Sequence, residues 1–273
     1  MKKSLFIIML IFGCGLFAQA QVDTSFHLLR KLRGDISFFE ADNLDNIYLV
    51  SSTGQLKKIN ANGDSVAVFN QLRKSGKLSY IDVSNPLRLV LYYKDYSQVV
   101  MLDRLLNARN TIDLRKQNIF QVQAICLSYD NKIWLYDEFE NKLKKIDEDG
   151  KLLFETADFR QLFGEAYSFS SVADVNGLIY LYDHVKGIFV FDYYGSLKNR
   201  INFTGADHIK ISGEYILSVR SDSLIRYKPV IFATESFILP PLFREADLLN
   251  YTASRLYMLK NDELSVYEIR SAK

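Results

Sequence analysis

Cysteine is nearly absent from this chain of 273 residues: only Cys14 and Cys126 occur, alongside three histidines, four prolines and one tryptophan. Two cysteines permit one disulfide at most, so stability must come from a large core and not from cross-links. His27, His184 and His208 stand far apart, with no paired spacing of the kind metal sites use. There is no Gly-x-Ser-x-Gly elbow and no glycine-rich loop to cradle a phosphate. An excess of one charge is missing too. The 34 lysines and arginines face 32 acidic residues, which excludes the basic footprint of a nucleic-acid binder.

Long hydrophobic runs are confined to the N-terminus. Lys2 and Lys3 precede an apolar stretch over residues 5–17, and Ala18-Gln19-Ala20 supplies a small-x-small cleavage pattern. The stretch is roughly 13 residues, short of the ~20 a spanning helix needs. We therefore expect residues 1–20 to be an export signal and residues 21–273 to form one domain. The expected location is the periplasm, the outer membrane or the cell exterior. A competing reading centres on Ile11-Phe12-Gly13-Cys14, which resembles a lipobox and would make Cys14 a lipidated N-terminus, although Phe12 is bulky for that motif. Removing the leader takes two lysines away and brings the net charge close to zero. It also leaves Cys126 as the sole thiol, set in the apolar run Ala124-Ile125-Cys126-Leu127, where a buried structural role is expected.

Aromatic residues are abundant, with 17 tyrosines and 19 phenylalanines, and they suit strands better than helices. Their arrangement repeats. Apolar triplets begin at Ile47, Leu89, Ile133, Ile179, Ile216 and Leu256, about 40 residues apart. A second strand-like segment follows each one and ends at Ile59, Leu102, Ile146, Phe191, Tyr227 and Tyr267. The next residue is polar every time: Asn60, Asp103, Asp147, Asp192, Lys228 and Glu268. In three copies a glycine comes three positions later (Gly63, Gly150, Gly195), where a positive φ is expected. Short strands at this spacing, four to a unit, point to an all-β fold, a six-bladed β-propeller. Unit boundaries fall near Ile36, Leu78, Val122, Phe169, Ala206 and Glu245. The last unit stops one strand short, and residues 24–32 are left over at the other end. Placed as the outer strand of the last blade, that segment would close the ring.

Within the third unit, Lys132-Ile133-Trp134-Leu135-Tyr136-Asp137, then Asn141 through Asp147, then Gly150, resemble an NHL-type repeat. With its leader, the chain is similar to the secreted NHL-repeat-like and TolB-like six-bladed propellers of Bacteroidota-type bacteria. That resemblance implies an architecture and leaves the activity open.

Candidate sites are correspondingly few. Asp42, Asp82, Asp130, Asp174 and Glu214 lie near the ends of first strands, where carboxylates from several blades could hold a calcium ion for a hydrolase or lactonase. Turn chemistry explains the same residues without a ligand. Residues 104–121 and 155–168 read as insertions that could form a binding face. Arg109 and Arg115 in the first, and Phe159, Phe163 and Tyr167 in the second, are the candidate contacts, since aromatics and arginine dominate binding energy. The leading expectation is a monomeric, non-enzymatic binding or scaffold module for a protein, peptide or glycan, with no cofactor and no metal. The calcium-dependent hydrolase is the alternative.

Overall fold

The computed structural model describes residues 25–70 and 76–270; the leader and Cys14 lie outside them. The first strand, β1 (Phe26–Arg33), precedes the blades. Blade 1 comprises β2 (Phe38–Ala41), β3 (Ile47–Val50), β4 (Leu56–Ile59) and β5 (Ser65–Phe69). Blade 2 comprises β6 (Tyr80–Asn85), β7 (Arg88–Tyr93), β8 (Gln98–Asp103) and β9 (Ala108–Asp113). In blade 3 are β10 (Val122–Leu127), β11 (Ile133–Asp137), β12 (Lys142–Ile146) and β13 (Leu152–Glu155). In blade 4 are β14 (Phe169–Val175), β15 (Leu178–Asp183), β16 (Gly187–Phe191) and β17 (Leu197–Ile201). Blade 5 holds β18 (Ile209–Ser212), β19 (Tyr215–Arg220), β20 (Ser223–Lys228) and β21 (Ala233–Ile238). Blade 6 holds β22 (Leu248–Tyr251), β23 (Arg255–Lys260) and β24 (Glu263–Ile269). Each blade is a four-stranded antiparallel sheet, and six of them surround a common axis.

The apolar triplets are the second strands, as the repeat predicts. These strands are buried on both faces because each blade packs against its neighbours, so they read as unbroken apolar runs. β11 and β16 are buried along their whole lengths. Outer strands behave oppositely: β17, Leu-Lys-Asn-Arg-Ile, is exposed except at its end.

The sixth sheet has the order β1-β24-β23-β22, so the N-terminal strand closes the ring. β1 runs antiparallel to β24, from Phe26 opposite Ile269 to Arg33 opposite Glu263. Glu263 accepts from both Lys31 (2.6 Å) and Arg33 (2.5 Å). Arg30 reaches across to the Ala61 carbonyl of blade 1, and Phe26 packs on Phe243 and Phe237.

Neighbouring blades are also latched by tyrosine. Tyr92, Tyr136 and Tyr182 occupy the same register in β7, β11 and β15. Each hydroxyl donates to a carbonyl on the way into the next blade: Val122 (3.3 Å), Tyr167 (2.6 Å) and Ala206 (2.6 Å).

The polar residue after the third strand has a defined task in four blades. Asn60, Asp103, Asp147 and Asp192 each open a five-residue turn and accept from the backbone N–H groups two and four positions on. Such Asx geometry sets the turn. The fourth turn residue adopts positive φ: Gly63, Leu106, Gly150 and Gly195. At Gly150, with φ of 87°, a Cβ would stand 2.6 Å from Ile112 Cγ2, so glycine is required twice over. Leu106 bears the same conformation and is buried against blade 1.

Two expectations change. Residues 104–121 are no insertion: they contain β9, the fourth strand of blade 2, then a 3-10 turn over Leu114–Gln117. As an outer strand, β9 buries only Ile112, so its sequence shows no apolar alternation. The first strand of blade 6 begins at Leu248, because the 3-10 turn Pro241–Glu245 occupies the residues before it.

Candidate ligand site at the axial channel

The first strand of each blade lies nearest the axis, and all six begin at the same end of the ring. There they surround a cavity of about 430 Å³ to which every blade contributes. Phe38 and Glu40 come from blade 1, Tyr80 and Lys94 from blade 2, Gln123 from blade 3 and Ser170 and Ser171 from blade 4. His208 and Lys210 come from blade 5 and its lead-in, and Leu248 and Asn250 from blade 6.

One wall is a polar knot across three blades. Lys210 Nζ donates to the Ala41 carbonyl (2.5 Å), to Asn250 Oδ1 (3.3 Å) and to Glu40 Oε2 (3.5 Å). Asn250 Nδ2 donates to the same Glu40 oxygen at 2.7 Å. The charges of Glu40 and Lys210 therefore compensate each other inside the channel. On the opposite wall Lys94 Nζ donates to Gln123 Oε1 at 2.7 Å. Tyr251 donates its hydroxyl to the His208 carbonyl (2.9 Å) and fixes that lead-in.

Other groups remain uncommitted. Among the described residues, the Tyr80 hydroxyl, the Ser171 hydroxyl and the His208 ring have no protein hydrogen-bond partner. Tyr80 is 37% exposed and lines the cavity. Burial, with the charges of Asp82 and Glu40 behind it, raises its hydroxyl well above the ordinary tyrosine value. It stays a neutral donor. The site thus offers an aromatic surface, free donors and acceptors, a Glu40–Lys210 pair that compensates itself, and the Lys94 cation held by a neutral amide.

The residues expected from sequence are placed elsewhere; none of the five lines this cavity. Asp158 caps α1 (Phe159–Phe163) at its start, and Gly164 ends it in the left-handed conformation. Phe159 is fully buried between blades 3 and 4, stacked on Phe191 (5.3 Å) and Tyr136 (6.3 Å). Tyr167 is buried as well, against Phe169 and Phe189, and Phe163 is half-buried beside it. These aromatics fill the blade interface, so a partner could not reach Phe159 or Tyr167 in the folded ring. Arg109 pairs with Asp103 (2.5 Å) and Arg115 with Asp113 (3.2 Å), both at the outer rim of blade 2.

The five first-strand carboxylates do not converge. Asp42 accepts from its own turn and from Tyr48. Asp82 accepts from Leu127 and Ser84 N–H, and Asp130 pairs with Lys145. Asp174 accepts from Ser128 and Tyr193, and Glu214 pairs with Lys228. Among the described residues no group of three or more His, Cys, Asp or Glu side chains could hold a metal ion. Cys126 is buried as expected, and burial pushes its thiol well above the ordinary value.

No protein-family model matches this chain, and no curated protein does. Solved structures do. Virginiamycin B lyase from Staphylococcus aureus superposes with a TM-score of 0.62 at 10% identity, covering 90% of this chain and 100% of that one. The likeness is one of fold. The Pan2 WD40 domain of Neurospora crassa follows at TM-score 0.59 and 10% identity, covering 92% of this chain and 97% of that one. BamB from Moraxella catarrhalis gives 0.52 at 11% identity, over 89% and 100%. One of these proteins is named as a lyase and another as a WD40 domain, so the shared ring assigns no chemistry.

Proposed function

We propose that this protein is a non-enzymatic binding module of the cell envelope, which holds a segment of a protein, peptide or glycan partner at the mouth of its axial channel. The observation that carries the reading is the cavity itself, where all six blades place side chains and Tyr80, Ser171 and His208 stand uncommitted. Pockets with an aromatic surface and a few converging polar groups are the usual binding sites of such folds. The internal compensation of Glu40 by Lys210 favours an uncharged, hydrogen-bonding segment over an ion. The envelope location rests on Lys2, Lys3, the apolar residues 5–17 and Ala18-Gln19-Ala20. No helix of the described residues is long and apolar enough to cross a membrane.

The test is a screen of the protein against a peptide phage library and an immobilised oligosaccharide panel. Binders selected by the native chain should be lost, at least about tenfold in affinity, on Tyr80→Ala or Asn250→Ala. Phe139→Ala, an exposed change outside the cavity, should leave them intact. Binders indifferent to both channel substitutions would overturn the reading.

A further inference from the structure

In this topology the turns between first and second strands, and between third and fourth, all lie at the end of the ring opposite the channel mouth. Four of the third-to-fourth turns are polar Asx turns, described above. The fifth departs from them in every respect. Residues 229–232 of blade 5 read Pro-Val-Ile-Phe, and Lys228 stands where those four turns have Asp or Asn. Val230, Ile231 and Phe232 are 85%, 64% and 81% exposed. Phe232, four positions after Lys228, adopts a left-handed φ of 54°, whereas the other turns place their left-handed residue three positions after the Asp or Asn, as glycine in three and as a buried leucine in the fourth. A phenylalanine in that conformation carries a backbone cost, and here no packing within the fold offsets it. Local rules broken without a folding gain point to function.

Three further features of that end bear on what the tip meets. Single apolar side chains project from turns of other blades at the same end: Leu44, Leu87, Leu105, Tyr129 and Tyr194 are all exposed. Dispersed over four blades, they match a flat apolar layer better than one pocket of a protein. Lys228, at the base of the tip, is already paired with Glu214 (3.4 Å) and leaves the tip itself without a free charge. The chain also enters the ring here. β1 starts at Phe26 beside Ile269 at the end of β24, so the described chain begins at this same end.

We propose that residues 229–232 form a membrane-contact tip, which places Val230, Ile231 and Phe232 in the interfacial layer of a phospholipid bilayer. Loops and helices bind bilayers this way when apolar side chains enter the headgroup–acyl boundary. The channel mouth then faces away from the lipid.

The experiment uses the full chain carrying Phe232→Trp. The native tryptophan, Trp134, is fully buried in blade 3 and gives a constant background. Vesicles of phosphatidylethanolamine and phosphatidylglycerol should shift the new emission to the blue, protect it from iodide and allow quenching by brominated acyl chains. Adding Ile231→Asp should raise the vesicle concentration needed by about tenfold or more. A Phe120→Trp reporter, exposed at the opposite end, should stay in water. A tip that remains open to iodide on vesicles overturns the proposal and leaves a protein pocket as its occupant. A blue shift that grows with protein concentration without lipid overturns it in favour of a second copy of the chain.

Discussion

Replacing Phe26 with alanine should weaken the entire ring, and the effect should be legible on its far side. Phe26 belongs to β1, and its ring contacts Phe243 (5.3 Å) and Phe237 (6.4 Å). A fully buried phenylalanine costs about 3–5 kcal/mol on truncation to alanine. Phe26 is half-buried, so about half that figure, roughly 2 kcal/mol, is expected. For a domain of this size the midpoint of thermal unfolding should fall by roughly 4–8 °C. Trp134, the sole tryptophan, lies in blade 3, across the axis from the closing sheet. If closure makes the ring one cooperative unit, Trp134 fluorescence and far-ultraviolet circular dichroism should shift together in urea. Removal of residues 22–33, which strips β24 of its partner, should abolish the cooperative transition. A Trp134 transition with an unchanged midpoint, beside a separate early loss of dichroism, would refute the argument.

Other consequences are more local. Lys144 and Asp137 are both buried and lie 2.8 Å apart, so Lys144→Met alone should cost about 3–5 kcal/mol, while adding Asp137→Leu should recover most of it in a denaturation cycle. Tyr182→Phe should cost about 1–3 kcal/mol, because the hydroxyl serves both the carbonyl (2.6 Å) and the N–H (2.9 Å) of buried Ala206. Tyr92→Phe, which loses one bond of 3.3 Å, should cost less, and equal losses in urea would refute the latch. Hydrogen bonds from Lys31 and then Arg33 hold Glu263 below its ordinary carboxylate value. Its contribution to closure is therefore complete above about pH 4.5 and fades as pH falls through the lowered value. Glu263→Gln should flatten that part of the stability profile, as thermal scans between pH 6 and pH 3 would show.

The blades were legible in sequence because their middle strands admit no choice. Ile133–Tyr136 is apolar and buried on both faces, and its five counterparts carry apolar residues at the same positions with few exceptions, which makes the period visible. The Asx turns were legible at Asn60, Asp147 and Asp192 for a similar reason: an aspartate or asparagine followed three positions later by glycine serves one local geometry. The outer strand of blade 2 escaped, as Arg109-Asn110-Thr111 shows, because an edge strand with one wet face carries little apolar signal. The aromatic stretch at residues 159–167 was visible as a cluster, but composition does not say whether a ring faces solvent or the neighbouring blade.

The channel site was not legible at all. Glu40 and Lys210 are 170 residues apart, and Glu40 and Asn250 are 210 apart. Each first strand gives the cavity between one and four residues, and no local pattern links residues in different blades. Sequence alone thus determined that this chain is a ring of six four-stranded blades closed by its own first strand. Strand burial and turn geometry repeat every 40 or so residues, and a period survives in one dimension. What the ring encloses was decided by tertiary structure alone. Closure brings residues from opposite ends of the chain to one axis, and only there do Tyr80, Glu40, Lys210 and Asn250 become a site.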